Sequence, residues 1–116
     1  MTDCVFCRIA SKEIPAELLW DDEEVVAFPD LHPQAPVHVL VIPKRHIAST
    51  AELGPAQANL VGRLVAVAIL VARREGLDKP ERGFRIVSNT GPDAGQSVAH
   101  LHLHLLGGRA LGWPPG

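Results

Sequence analysis

Near its C-terminal end the chain carries His100-Leu101-His102-Leu103-His104-Leu105-Leu106. An alternation of period two has no face on a helix, but on a β-strand it sends every imidazole to one side and every leucine to the other. The pattern therefore predicts a strand over residues 98–106, its leucine face packed on a helix. The other face would present three rings at intervals of about 7 Å, two residues of about 3.3 Å each. Neighbouring imidazoles cannot all be charged cheaply, so some of these rings must titrate below the ordinary histidine range. A neutral imidazole is a nucleophile or a metal ligand, and clustered titratable groups mark sites more often than solvated faces. Three histidines on one straight strand diverge too little to surround a single ion tetrahedrally, which disfavours all three on one metal.

The rest of the sequence supplies partners for such a strand. Residues 18–20 and 24–28 predict two short strands around the acidic turn Asp21-Asp22-Glu23. Residues 30–36 hold Pro33 and Pro36 and must be a loop, and 37–42 form an aliphatic run that reads as a buried strand. Ser49, Thr50, Glu52 and Pro55 have the spacing of a helix start. Leu60, Leu64, Val67, Ala68 and Val71 then mark one apolar stripe on a helix of about five turns ending near Gly76. Residues 84–88 predict another strand, followed by a glycine-rich loop at 90–96. The expected architecture is α+β, a five-stranded, mostly antiparallel sheet with one long helix, in a single domain over residues 1–116. An open sheet of five strands leaves edges that invite pairing, so a homodimer extending the sheet is expected.

Composition narrows the function. A hydrophobic fraction of 47% excludes a disordered chain, and a net charge of −2 excludes an electrostatic nucleic-acid binder. Met1-Thr2-Asp3-Cys4 carries no leader pattern, and the longest apolar stretch, residues 64–72, is well short of the ~20 residues that span a bilayer. No membrane partner and a cytoplasmic location are expected. Cys4-Val5-Phe6-Cys7 has metal-knuckle spacing, but a zinc site needs two more ligands, and two reduced thiols would look the same.

The histidine run, with Gly95-Gln96-Ser97-Val98-Ala99 before it and Gly107-Gly108-Arg109 and Trp113-Pro114-Pro115-Gly116 after it, resembles the histidine-triad family. Within that family it is most similar to the nucleotide-binding branch. The likeness extends back through Lys12-Glu13-Ile14-Pro15-Ala16, Phe28, Asp30, Pro33-Gln34-Ala35-Pro36 and Val41-Ile42-Pro43-Lys44-Arg45-His46-Ile47. The resemblance implies hydrolysis at the α-phosphate of nucleoside phosphoramidates or related adenylates, on an AMP- or GMP-like substrate. His102 would be the nucleophile that becomes nucleotidylated, and His104, protonated, a donor to the phosphate oxygens. Ser97 and Gln96, just ahead of the run, are placed to contact phosphate or leaving group, with Asn89 and His38 carried over as further contacts.

At the nucleoside end the resemblance places Asp30 on the ribose and Phe6, Ile9, Ile14, Phe28, Leu31 and Leu40 around the base. Pro29 stands where relatives typically carry a histidine, and Trp113 in the tail is a candidate for the substrate or dimer surface. His46 and His100 match ligand positions of zinc-containing relatives, so Cys4, Cys7, His46 and His100 are the expected structural zinc site. Two other readings remain open: a dinucleoside polyphosphate hydrolase or phosphorylase, and a nucleotide-binding scaffold with little catalysis. His32, in the proline-rich loop, reads as an ordinary surface residue.

Overall fold

The computed structural model of the protein describes residues 3–116; residues 1 and 2, part of the stretch read for a leader, lie outside it. Seven elements follow in order: α1 (Val5–Ala10), β1 (Trp20–Asp21), β2 (Val25–Pro29), β3 (Val37–Pro43), α2 (Ala58–Arg74), β4 (Phe84–Val87) and β5 (Leu103–Gly107). The strands form one sheet in the order β1-β2-β3-β5-β4, every neighbouring pair antiparallel. The α+β architecture with one long helix is thus the observed one.

The period of two sorts this sheet into two unlike faces. Val25, Ala27, Val39, Val41, Leu103 and Leu105 point to one side and bury against Leu64, Val67, Ala68, Val71 and Ala72 of α2. Val26, Phe28, Leu40 and Ile42 point to the other, where Phe6 and Ala10 of α1 cover them. The strand register aligns Phe28, Leu40 and His104 in one row across β2, β3 and β5. That row is where the cleft described below begins.

Several boundaries differ from expectation, each for a local reason. The predicted helix start closes only a 3₁₀ turn at Thr50–Glu52. Ser49 Oγ accepts from Ala51 N–H at 3.1 Å and Glu52 Oε1 from Ala48 N–H at 2.6 Å, which uses up the capping groups there. After a second such turn at Pro55–Gln57, α2 begins at Ala58. It stops beside Gly76, whose φ of 73° is the left-handed conformation that ends helices. The histidine strand is also shorter than predicted. Leu101 N–H bonds to the Ile47 carbonyl at 2.6 Å instead of joining the ladder, so β5 starts only at Leu103. Gly107 and Gly108 end it: a Cβ on Gly107 would lie 2.5 Å from Leu77 Cδ1, and Gly108 has φ +92°.

The short helix α1 was not expected, since six residues are too few to show a period. Cys4 caps it, its Sγ accepting from Cys7 N–H at 3.3 Å. At the β1–β2 turn, Asp22 takes hydrogen bonds from the Trp20 indole, from Glu24 and Val25 N–H, and from Arg63 of α2. Burial alone would raise the Asp22 pKa, but these four donors hold its carboxyl below the usual carboxylate range.

By length and composition alone, residues 55–74 also pass for a helix that could cross a membrane. In the fold this segment is the core helix, with its inner stripe against the sheet. Val61 and Leu70 are left exposed on its outer side.

Candidate active site

On the α1 side of the sheet lies a cleft of about 520 Å³. Its apolar wall comprises Val5, Phe6 and Ile9 of α1, Ile14, Pro15, Phe28, Pro29, Leu31 and Leu40, and its polar groups are Glu17, Asp30, His32, Ser97, His102 and His104. All six base-wall residues expected from the sequence line this cleft, as do Asp30, Ser97, His102 and His104. Leu31 does so from the rim, 90% exposed. His32, read as a plain surface residue, also reaches the rim.

The three histidines of the run do not form an evenly spaced ladder. Because the chain before Leu103 is irregular, the His102 and His104 rings lie 5.0 Å apart between centroids, while His100 turns away to sit 4.9 Å from the His46 ring. His102 is buried, with the Phe6 ring edge-on at 5.2 Å.

Backbone groups fix which nitrogen of each ring carries the proton. His102 Nδ1 is 2.6 Å from the His100 carbonyl, which can only accept, so in the neutral ring Nδ1 bears the hydrogen and the lone pair is on Nε2. Gln34 N–H donates to His38 Nδ1 at 2.9 Å, so the single proton of neutral His38 is on Nε2. That N–H donates to His104 Nδ1 at 2.9 Å, which leaves the His104 proton on its own Nε2. Asp30 Oδ2 lies 3.4 Å from His38 Nε2, and Asp30 Oδ1 accepts from His32 N–H at 2.8 Å. Asp30, His38 and His104 are close enough to hold a metal ion between them. The His38 proton already occupies that space, so the cluster is better described as a hydrogen-bond relay.

The surroundings of His104 work against the positive charge expected of it. Burial, reinforced by the nearby His102 and His38 rings and only partly offset by Asp30, pushes its pKa down to about 4. The neutral ring keeps its hydrogen on Nε2. Burial lowers His38 as well, against the opposing pull of Asp30.

This has a consequence for stability. An unfolded histidine titrates near pH 6.5, so above about that value neither state is protonated and His104 contributes no difference. As pH falls toward 4 the unfolded chain takes up the proton first, and stability is lost, by at most about 3 kcal/mol at this residue. Denaturant unfolding at pH 7.5 and 4.5 should show a smaller acid loss for His104→Asn than for the parent. Equal losses would contradict the buried, neutral ring.

A second cluster lies behind the first. Cys4, Cys7, His46 and His100 place their donor atoms within 4.8 Å of one another, a set that could hold a metal ion. His100 Nδ1 is 3.2 Å from Cys4 Sγ and 3.5 Å from Cys7 Sγ, and His46 Nδ1 is 3.3 Å from Cys7 Sγ. Ligands of tetrahedral zinc at about 2.0–2.3 Å lie roughly 3.6 Å apart, so this set matches the ion in number, chemistry and spacing. His100 Nε2–H donates to the Pro43 carbonyl at 2.9 Å, which turns the Nδ1 lone pair toward the thiols.

Four of the expected contacts are not among the residues lining the cleft, His38 standing behind His104 in the relay. The Gln96 side chain accepts from Gly91 N–H and donates to the carbonyls of Ala48 and Val98, so it braces the loop that carries Ser97. A Thr50–Thr90 hydroxyl pair ties down the same loop. Asn89, half-buried after β4, and Trp113, 83% exposed in the tail, are not among the residues lining the cleft.

This histidine arrangement on a five-stranded antiparallel sheet defines a histidine-triad protein, and residues 11–111 match the HIT domain family. The chain belongs to that family. It is 48% identical over 116 residues to a 14 kDa zinc-binding protein of Brassica juncea, covering 98% of this chain and 100% of that one. It is 46% identical over 114 residues to a protein of Arabidopsis thaliana named adenylylsulfatase HINT1, covering 97% of this chain and 76% of the other. Among solved structures, a HIT family hydrolase from Legionella pneumophila Philadelphia 1 superposes with a TM-score of 0.94 at 46% identity, over 98% of this chain and all of that one.

Proposed function

We propose that the protein is a nucleotide hydrolase that cleaves the bond between the α-phosphate of a nucleoside phosphoramidate, or a related adenylate, and its leaving group. The observation that carries this reading is the fixed tautomer of His102, whose Nδ1–H is held by the His100 carbonyl while Nε2 is left with a lone pair. Attack of Nε2 on phosphorus makes the ring cationic, and a positively charged N–H donates to the carbonyl more strongly than a neutral one. The contact therefore tightens as the reaction proceeds, which is where an interaction accelerates chemistry. The leaving group departs with a proton from the Ser97 hydroxyl or solvent at the cleft mouth. Water then attacks phosphorus as the P–Nε2 bond breaks, its proton returning to Ser97 or passing to solvent, which releases the nucleoside monophosphate and regenerates neutral His102. His104 Nε2–H, fixed through His38 by Gln34, serves the phosphate oxygens, and the Asp30 carboxylate, still short of acceptor saturation, serves the ribose hydroxyls. The relatives named as a hydrolase and an adenylylsulfatase support the reaction class.

Charge separates this reading from the polyphosphate alternative. Among the described residues lining the cleft there is no Lys or Arg, and its charged members are Glu17 and Asp30. A single anionic phosphodiester-like centre can be met by neutral N–H donors, whereas a polyphosphate chain would find no cation to neutralise it. Incubation with adenosine 5′-phosphoramidate, adenylyl sulfate and diadenosine tetraphosphate should release AMP from the first two at rates at least about a hundred-fold above the third. Preference for the tetraphosphate would overturn this assignment.

The chain acts as a homodimer in this reading. β4 is an edge strand, and α2 leaves Val61 and Leu70 exposed. Both features suit a second copy related by a two-fold axis. Leu70→Glu should convert the dimer to monomer in sedimentation experiments with under about 0.5 kcal/mol change in monomer stability, as for an ordinary surface substitution. A parent chain that sediments as a monomer would contradict the proposal. The metal, when bound, would be held by Cys4, Cys7, His46 and His100 and would supply a structural cross-link.

A further inference from the structure

Two physical routes join the metal cluster to the nucleotide cleft. The first runs through α1. Cys4 and Cys7 bracket Phe6, and Val5, Phe6 and Ile9 of this helix form part of the cleft wall. Six residues cannot hold a helix by themselves in water, so α1 takes its shape from tertiary anchors. Among the described residues these include, besides the thiols, the buried Phe6 and Ala10, the partly buried Ile9 and two ion pairs, Arg8–Glu13 and Lys12–Asp21. The ion pairs are largely exposed, and such pairs contribute little. The second route runs through His100, which offers Nδ1 to the thiols while its own backbone carbonyl holds His102 Nδ1–H at 2.6 Å. Phe6 links the two, its ring 5.9 Å from His100 and 5.2 Å from His102 between centroids.

We propose that the metal cluster and the nucleotide cleft are thermodynamically coupled, so that a metal on Cys4, Cys7, His46 and His100 tightens nucleotide binding and bound nucleotide tightens the metal. The metal fixes the wall residue Phe6 and the carbonyl of His100 before the nucleotide arrives. A cleft that is already ordered binds without meeting that ordering cost. Reciprocity is then required: whatever factor the metal contributes to nucleotide affinity, the nucleotide returns to metal affinity. Phe6 is a positioning residue in this scheme, since it touches both sites.

The coupling rests on the reading of the cleft as a nucleotide site and of the cluster as a zinc site, and its test separates the three. On the zinc-loaded 116-residue chain, zinc affinity is measured by competition with a chromogenic chelator, with and without saturating AMP, and AMP affinity by calorimetry on the same sample. A chelator titration with AMP alone supplies the reference. AMP should tighten zinc roughly ten-fold, within the range usual for coupled sites. Phe6→Leu should keep zinc binding and shrink that factor to about two-fold or less. AMP binding by calorimetry with an unchanged zinc constant would overturn the coupling while leaving the nucleotide reading in place. Absence of AMP binding, or of bound zinc, would remove the corresponding site and the coupling with it.

Discussion

His102→Ala should release AMP from adenosine 5′-phosphoramidate at least about 10⁴-fold more slowly than the parent, the scale on which losing a nucleophile is felt. AMP affinity should change by less than about ten-fold, because the cleft wall, Asp30 and the His104 donor remain. The chemistry is specific to Nε2. The neighbouring rings cannot substitute: His104 presents a hydrogen rather than a lone pair at Nε2, and His100 turns its lone pair to the thiols. His102→Gln is a useful companion, since its amide can donate to the His100 carbonyl yet cannot attack phosphorus. It should be as inactive as the alanine variant. Turnover by either variant within ten-fold of the parent would move the nucleophile elsewhere.

Losing the metal cluster should produce the second large effect, this time on stability. Cys7→Ser replaces a soft thiolate, close to both His46 and His100, by a hydroxyl that is a poor zinc ligand. A ligand present at a hundred to a thousand times its dissociation constant stabilises the fold by about 3–4 kcal/mol. Zinc-loaded parent protein should therefore melt at least about 10 °C above Cys7→Ser, given the several degrees per kcal/mol typical of a domain of this size. Chelation should lower the parent toward the variant and leave the variant unchanged. Coincident melting curves in all four conditions would show that the four side chains hold no metal that matters to the fold.

Legibility from the sequence followed the strength of local pattern. The alternation of histidine and leucine correctly put Leu101, Leu103 and Leu105 against α2, because a face assignment needs only the period. It could not place His100, since the backbone ahead of β5 bends to reach Ile47, a contact more than fifty residues away in the chain. The apolar stripe on α2 was legible, and its start was not, because Ser49 and Glu52 spend their capping groups on a separate 3₁₀ turn. The helix α1 is invisible to periodicity, though a Cys-x-x-Cys knuckle capping its own first turn was a signal that could have found it. The relay from Gln34 through His38 to His104, and the neutral state of His104, depend on burial and on distances between β3 and β5 that no spacing encodes. His32 reaches the cleft rim from a loop in which Asp30 accepts from the His32 amide, a contact that no sequence pattern announces.

Intact-mass spectrometry of protein quenched in acetonitrile during turnover of adenosine 5′-phosphoramidate reads the covalent step at His102 Nε2 itself. A fraction of the chain should gain one adenylyl group, peptide mapping should place it on His102, and the adduct should decay as substrate is exhausted. Sustained AMP release with no adduct on His102, or with the label on another residue, would contradict the mechanism.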